Sequence, residues 1–108
     1  MEFLIEIEVT FPQDMPDDRR SELIAAERLR GAELTEAGVI RAIWRVPGRF
    51  ANRAIWSAVD ATELHAAISS LPLWRYCSVE VTALAQHDLG ARCPGLAAGL
   101  RVPAPVPQ

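Results

Sequence analysis

An α+β domain of order βαββαβ, with two helices laid on one face of an antiparallel sheet, is predicted by three features of this sequence. Residues 2–10 and 76–82 alternate apolar and polar side chains with the period of a half-buried strand. Residues 16–37 and 60–71 carry helix-start signals followed by apolar residues at helical spacing. Between them, residues 38–56 read as two strands joined at Val46-Pro47-Gly48-Arg49. Strands and helices in that order make a ferredoxin-like domain.

In the first strand Phe3, Ile5, Ile7 and Val9 point one way and Leu4, Glu6, Glu8 and Thr10 the other, so one face is buried. Pro12, Asp14 and Pro16 end it. Pro16, Asp17 and Asp18 then suit the first turn of a helix, where a preset φ and negative charge are both favourable. The helix runs to about Ala37, and Gly38 stops it. Leu23, Ala26, Glu27, Arg30, Leu34 and Ala37 share one stripe of this helix, with Ile24 and Leu29 falling on either side. In the second helix Asp60 and Glu63 form a capping-box pair, Leu64, Ile68 and Leu71 are the inward row, and Pro72 ends the run. Tyr76 to Thr82 alternates again and supplies the fourth strand.

Composition bounds the function. A chain of 108 residues, 50% hydrophobic and 23% charged, fits one domain with one core. A net charge of −3 with scattered arginines leaves no electrostatic footprint for nucleic acid. No apolar stretch approaches the roughly 20 residues of a membrane span, and the N-terminus lacks a secretory pattern, so a cytoplasmic protein is expected. Cys77 and Cys93 make neither a disulfide framework nor a zinc spacing and read as free thiols. His65 and His87 stand without an acidic cluster, so no metal site is expected, and no glycine-rich loop calls for a nucleotide cofactor. The domain ends near residue 88. Residues 89–108, rich in Pro and Gly, read as an extended or disordered tail, with an arm packing on a neighbouring subunit as the alternative.

Residues 38–56 combine Trp44 and Trp56 with Arg41, Arg45, Arg49, Arg53 and Asn52, a composition suited to a lined pocket as much as to a core. Glu27 is the leading chemical candidate. Burial on an inward helix face raises a carboxyl pKa toward neutrality and lets it take and return a proton; an ion pair with Arg30, Arg41 or Arg45 would push it down instead. Asn52 shares a strand face with Phe50, Ala54 and Trp56, where a buried amide must be hydrogen-bonded, either to backbone or to a substrate oxygen. Arg41 and Arg45, projecting opposite to Trp44, are either carboxylate clamps or solvated charges.

These pieces resemble the muconolactone Δ-isomerase family over most of residues 1–88. The matching residues are Met1 to Thr10, Glu27, Gly38, Arg41, Trp44-Arg45, Gly48, Ala51-Asn52, Leu64-His65, Leu71-Pro72-Leu73, Tyr76, Glu80-Val81 and His87. The resemblance implies a cofactor-free isomerase of aromatic catabolism that moves a proton within an unsaturated γ-lactone bearing an acetate arm. It further implies Glu27 as proton shuttle, Asn52 as donor to the dienolate oxygen and Arg41 or Arg45 as clamp for the acetate; Trp44, Phe50 and Trp56 are expected to bind substrate from the pocket-like composition of residues 38–56. Subunits paired through their sheets, as in dimeric α+β barrels, and a homo-oligomer that is either such a dimer or a ring-like decamer built from dimers follow from the resemblance as well. Phe50 and Arg49 depart from the family pattern, which carries an aromatic hydroxyl and a His there. Two other readings keep the same scaffold: a cofactor-independent isomerase, cyclase or oxygenase on a larger aromatic or polyketide-like substrate, and a non-catalytic oligomeric binding module.

Overall fold

The alternation of residues 2–10 becomes β1 (Glu2–Val9), with Phe3, Ile5 and Ile7 all buried in the computed structural model, which describes residues 1–89. There follow α1 (Asp17–Glu36), β2 (Ile40–Arg45), β3 (Ala51–Ser57), α2 (Ala61–Ser69) and β4 (Cys77–Leu84). The sheet is antiparallel with order β2-β3-β1-β4, and both helices pack on one face, as a ferredoxin-like α+β fold requires. Tyr76 is not the first residue of β4. It closes one 3-10 turn (Trp74–Tyr76), because its N–H is already committed to the carbonyl of Leu73 at 2.8 Å. The expected tail lies, apart from Leu89, outside the described residues, as does Cys93.

Local chemistry explains the element ends. Pro16 caps α1 with extended backbone, and Asp17 and Asp18 occupy its first turn. Gly38, at φ 80°, allows Val39 N–H to fold back onto the carbonyl of Leu34 at 2.9 Å, which ends the helix and starts β2. At α2 the Asp60 side chain accepts from Glu63 N–H at 2.8 Å, while Glu63 accepts from Val59 N–H at 2.7 Å. Three hydrophobic rows then meet: Phe3, Ile5 and Ile7 of β1, Ala54 and Trp56 of β3, and Leu34, Leu64, Ile68 and Leu71 from the helical layer. Each large aliphatic group buried there contributes about 1.5–3 kcal/mol.

Register decides which side chains can meet. Across β3, Asn52 faces Ile7 on β1 and Arg45 on β2, while Trp56 faces Phe3 and Ile40. The β2–β3 pairing steps from Ile40↔Trp56 to Ala42↔Ile55, so Arg41 is the extra residue of a bulge. That single residue overturns the expectation that Arg41 and Arg45 share a face. Arg45 sits opposite Asn52 on the helix side of the sheet, whereas Arg41 pairs with Glu2 at 3.5 Å on the outer side. Trp44, opposite Arg53, also lies on the outer side and is 50% exposed.

Candidate active site

Between α1 and the inner sheet face lies a cavity of about 270 Å³. From α1 it receives Ile24, Glu27, Arg28 and Gly31, from β2 and β3 Ile40, Ile43, Arg45, Asn52 and Trp56, and from the segment after α2 Leu71 and Leu73. Ile7, Val9 and Phe50 complete the wall. The cavity therefore occupies one flank of the helix stripe. Leu23 and Leu34 are buried, but Ala26 and Ala37 of that stripe are exposed, and Gly31, with nothing within 4 Å of where a Cβ would stand, leaves the space open.

Glu27 is half-buried, and its Oε1 accepts a hydrogen bond from Leu73 N–H at 3.0 Å. Burial pushes its pKa above the ordinary 4.5, and the Leu73 hydrogen bond only partly opposes this. None of the three arginines considered as ion-pair partners takes that place. Arg30 reaches Glu33 at 3.0 Å and Ser70 at 3.0 Å, Arg41 reaches Glu2, and the Arg45 guanidinium lies 5.9 Å from the centre of the Phe50 ring. The backbone of Leu73 is held at its carbonyl too, to which the Cys77 thiol donates at 3.1 Å. Burial, together with the nearby Glu27 charge, pushes that thiol up to about 11, so it stays protonated near neutrality.

Asn52 and Trp56 bring two unsatisfied groups to the wall. Asn52 Oδ1 and Trp56 Nε1 are buried and have no hydrogen-bond partner among the described residues. The amide oxygen and nitrogen of Asn52 are interchangeable by a half-turn of the side chain, so either can face the cavity. Of the arginines on α1, β2 and β3, only Arg28 and Arg45 lack a carboxylate partner among the described residues, and both line this cavity.

Of the side chains singled out by sequence, the fold thus gathers Glu27, Arg45, Phe50, Asn52 and Trp56 around one space and leaves Arg41 and Trp44 on the far side of the sheet. Sequence reasoning passed over Leu73, Cys77 and Arg28 as parts of the site. The contribution of Leu73 to Glu27 is a backbone N–H, which no residue code reveals. Arg28 was detectable as the neighbour of Glu27 on the helix. His65 is exposed and stands edge-on to Trp74 at 5.7 Å, and no cluster of three metal-ligating side chains occurs among the described residues.

The fold and this cavity define a small ferredoxin-like α+β protein whose pocket sets one acidic side chain against largely apolar walls. The sequence model of the muconolactone Δ-isomerase family matches residues 1–89, and the chain belongs to that family of isomerases. It is 38% identical over 87 residues to muconolactone Δ-isomerase 2 of Acinetobacter lwoffii, covering 81% of this chain and 91% of that one. With the muconolactone Δ-isomerase of Acinetobacter baylyi it shares 34% identity over 92 residues, covering 85% and 96% of the two chains. A crystal structure of muconolactone isomerase superposes with a TM-score of 0.77 at 31% identity, covering 82% of this chain and 92% of that one. A 5-chloro-2-hydroxyhydroquinone dehydrochlorinase from Burkholderia phenoliruptrix shares the fold at a TM-score of 0.62 and 17% identity, covering 81% and 96%.

Proposed function

We propose that this protein converts muconolactone to the isomeric enol-lactone, as a cofactor-free step of aromatic catabolism in the β-ketoadipate route. The observation that carries the reading is Glu27: a carboxyl group in a largely apolar cavity, without an ion-pair partner among the described residues and with a raised pKa. Ionised, Glu27 takes the proton from the ring carbon that bears the acetate arm, and the bonding pair flows through the C=C bond onto the lactone carbonyl oxygen. The resulting dienolate is discharged when the same carboxyl returns the proton to the carbon next to the carbonyl, leaving the double bond shifted within the ring. Taking and giving at one site is what a pKa moved toward neutrality favours.

Asn52 donates to the oxygen on which charge develops, and Arg45, beside it in the register, holds the acetate carboxylate. Phe50 and Trp56 supply apolar wall. The cavity volume falls just below the roughly 300–1,000 Å³ of typical small-molecule pockets, which suits a small ring with one arm. The same reading places the protein in the cytoplasm as a homo-oligomer, with copies paired through the outer sheet face that carries Trp44. Purified protein mixed with muconolactone and followed by NMR should give the enol-lactone at enzymatic rates; no conversion above the buffer rate would overturn the assignment.

One observation favours a larger, less polar substrate on the same scaffold. Phe50, Phe11 and Tyr76 form a continuous aromatic run, with ring centres 6.0 and 5.6 Å apart, leading away from the cavity. A kcat/KM on an aryl-substituted lactone above that on muconolactone itself would select this reading.

A further inference from the structure

Trp56 is 2% exposed, and its indole N–H has no acceptor among the described residues. Such a group is uncommon in a folded core, because an unsatisfied buried donor costs on the order of 1–3 kcal/mol, and a phenyl ring would fill most of the same space without that cost. The side chain is flanked by its strand neighbours Phe3 and Ile40, yet it also lines the cavity that holds Glu27. Unlike the Asn52 amide, an indole nitrogen can only donate, so what it lacks is an oxygen.

The two ends of the cavity differ in a way that says which oxygen. Exposed Arg28, Arg45 and Phe50 form its outer part, and the two guanidinium groups there are without carboxylate partners among the described residues. Buried Trp56, Ile40 and Leu73 form its inner part. A ligand whose carboxylate is held by the arginines therefore presents its far end to the indole. Asn52 and Trp56 are four residues apart on one strand face, about 13 Å between Cα atoms, a separation that the two side chains, leaning toward each other, span with one shared oxygen between them.

Resting on the lactone reading above, we infer that the Trp56 indole N–H is a substrate-contacting hydrogen-bond donor to the ring carbonyl oxygen of the lactone, a second donor beside Asn52. Its contribution grows as that oxygen takes on charge, so it acts on turnover more than on binding.

The test is Trp56→Phe, which deletes the N–H and keeps an aromatic ring. The variant should lose about 10- to 100-fold in kcat/KM on muconolactone, mostly in kcat. Its unfolding midpoint without ligand should not fall far, since an unpaired donor is being removed. A kcat/KM within twofold of the parent overturns the inference while leaving the isomerase reading intact. Independently of turnover, wild-type protein labelled with ¹⁵N-tryptophan can be titrated with the saturated γ-lactone carrying an acetate arm. The Trp56 indole resonance should move downfield, with those of exposed Trp44 and Trp74 as internal controls. A saturating probe that leaves the Trp56 resonance in place overturns the inference, and a probe that binds nowhere overturns it together with the lactone reading.

Discussion

Glu27 Oε1 and the backbone N–H of Leu73, 46 positions apart in sequence, meet at 3.0 Å across the cavity wall. The contact ties the acidic residue of α1 to the segment that leads into β4, and it uses a donor that survives any change of the Leu73 side chain. It orients the carboxyl without neutralising it. A neutral amide at position 27 can accept the same hydrogen bond, which makes Glu27→Gln a test of proton transfer with little disturbance of structure. Turnover in that variant should drop roughly 10²–10⁴-fold with an unchanged far-UV spectrum. Steady-state kinetics comparable to the parent would remove Glu27 from the chemistry.

Stability should carry the mark of Glu27 burial in a defined pH window. Because its pKa in the folded chain is raised above 4.5, the folded state binds the proton more tightly than the unfolded state does. The stability linked to this proton is fully present below pH 4.5 and is lost as the pH rises through the raised value. An amide at this position has no charge to desolvate, so the Glu27→Gln variant should match the parent at pH 4 and become the more stable of the two by pH 8. Urea unfolding at both pH values gives the comparison; a stability difference that does not change with pH would contradict the burial argument.

The outer sheet face makes a separate prediction. Its ion pairs, Glu6 with Arg53 at 3.3 Å, Glu2 with Arg41 at 3.5 Å and Glu8 with Arg49, leave half-exposed Trp44 among charges that are already matched. Such exposed pairs contribute about 0–1 kcal/mol each, so in the pairing of copies proposed above the apolar surface between them would be the greater driving force. Trp44→Asp should lower the particle mass seen by light scattering and leave the secondary structure intact. An unaltered mass would overturn the proposal that copies pair through this face.

The reciprocal cap of α2 can be probed without touching the cavity, since neither Asp60 nor Glu63 lines it. Asp60→Ala should cost about 1 kcal/mol of stability, by loss of the acceptor for Glu63 N–H. Chemical unfolding should show that loss while kcat and KM stay at parental values; a large fall in kcat would mean that α2 positions the active site more directly than its contacts indicate.

Most of the architecture was legible in local patterns. Alternation placed β1 to within a residue, and Pro16, Gly38 and the Asp60–Glu63 pair marked helix ends because each acts on backbone groups within a few positions. The exceptions have local causes as well. Tyr76 was assigned to a strand because side-chain alternation cannot register the 3-10 hydrogen bond that occupies its N–H. The shared face expected of Arg41 and Arg45 assumed a period of two, which a bulge breaks without any change in residue type.

By itself, the sequence determined that this protein is a βαββαβ domain, that Glu27 lies on the inward side of the first helix, and that Asn52 and Trp56 share a strand face. Those properties follow from periodicity, which repeats along the chain and needs no partner. Tertiary structure alone decided that Glu27 has no ion-pair partner among the described residues, that Leu73 rather than a charged group orients it, that Arg45 and not Arg41 reaches the cavity, and that Trp56 holds an unpaired N–H. Each of these is a relation between segments far apart in sequence. Electrostatics and hydrogen bonding act over a few ångströms in space, so only the packing of α1 against the sheet could settle whether the carboxyl at position 27 is paired or left open to a substrate.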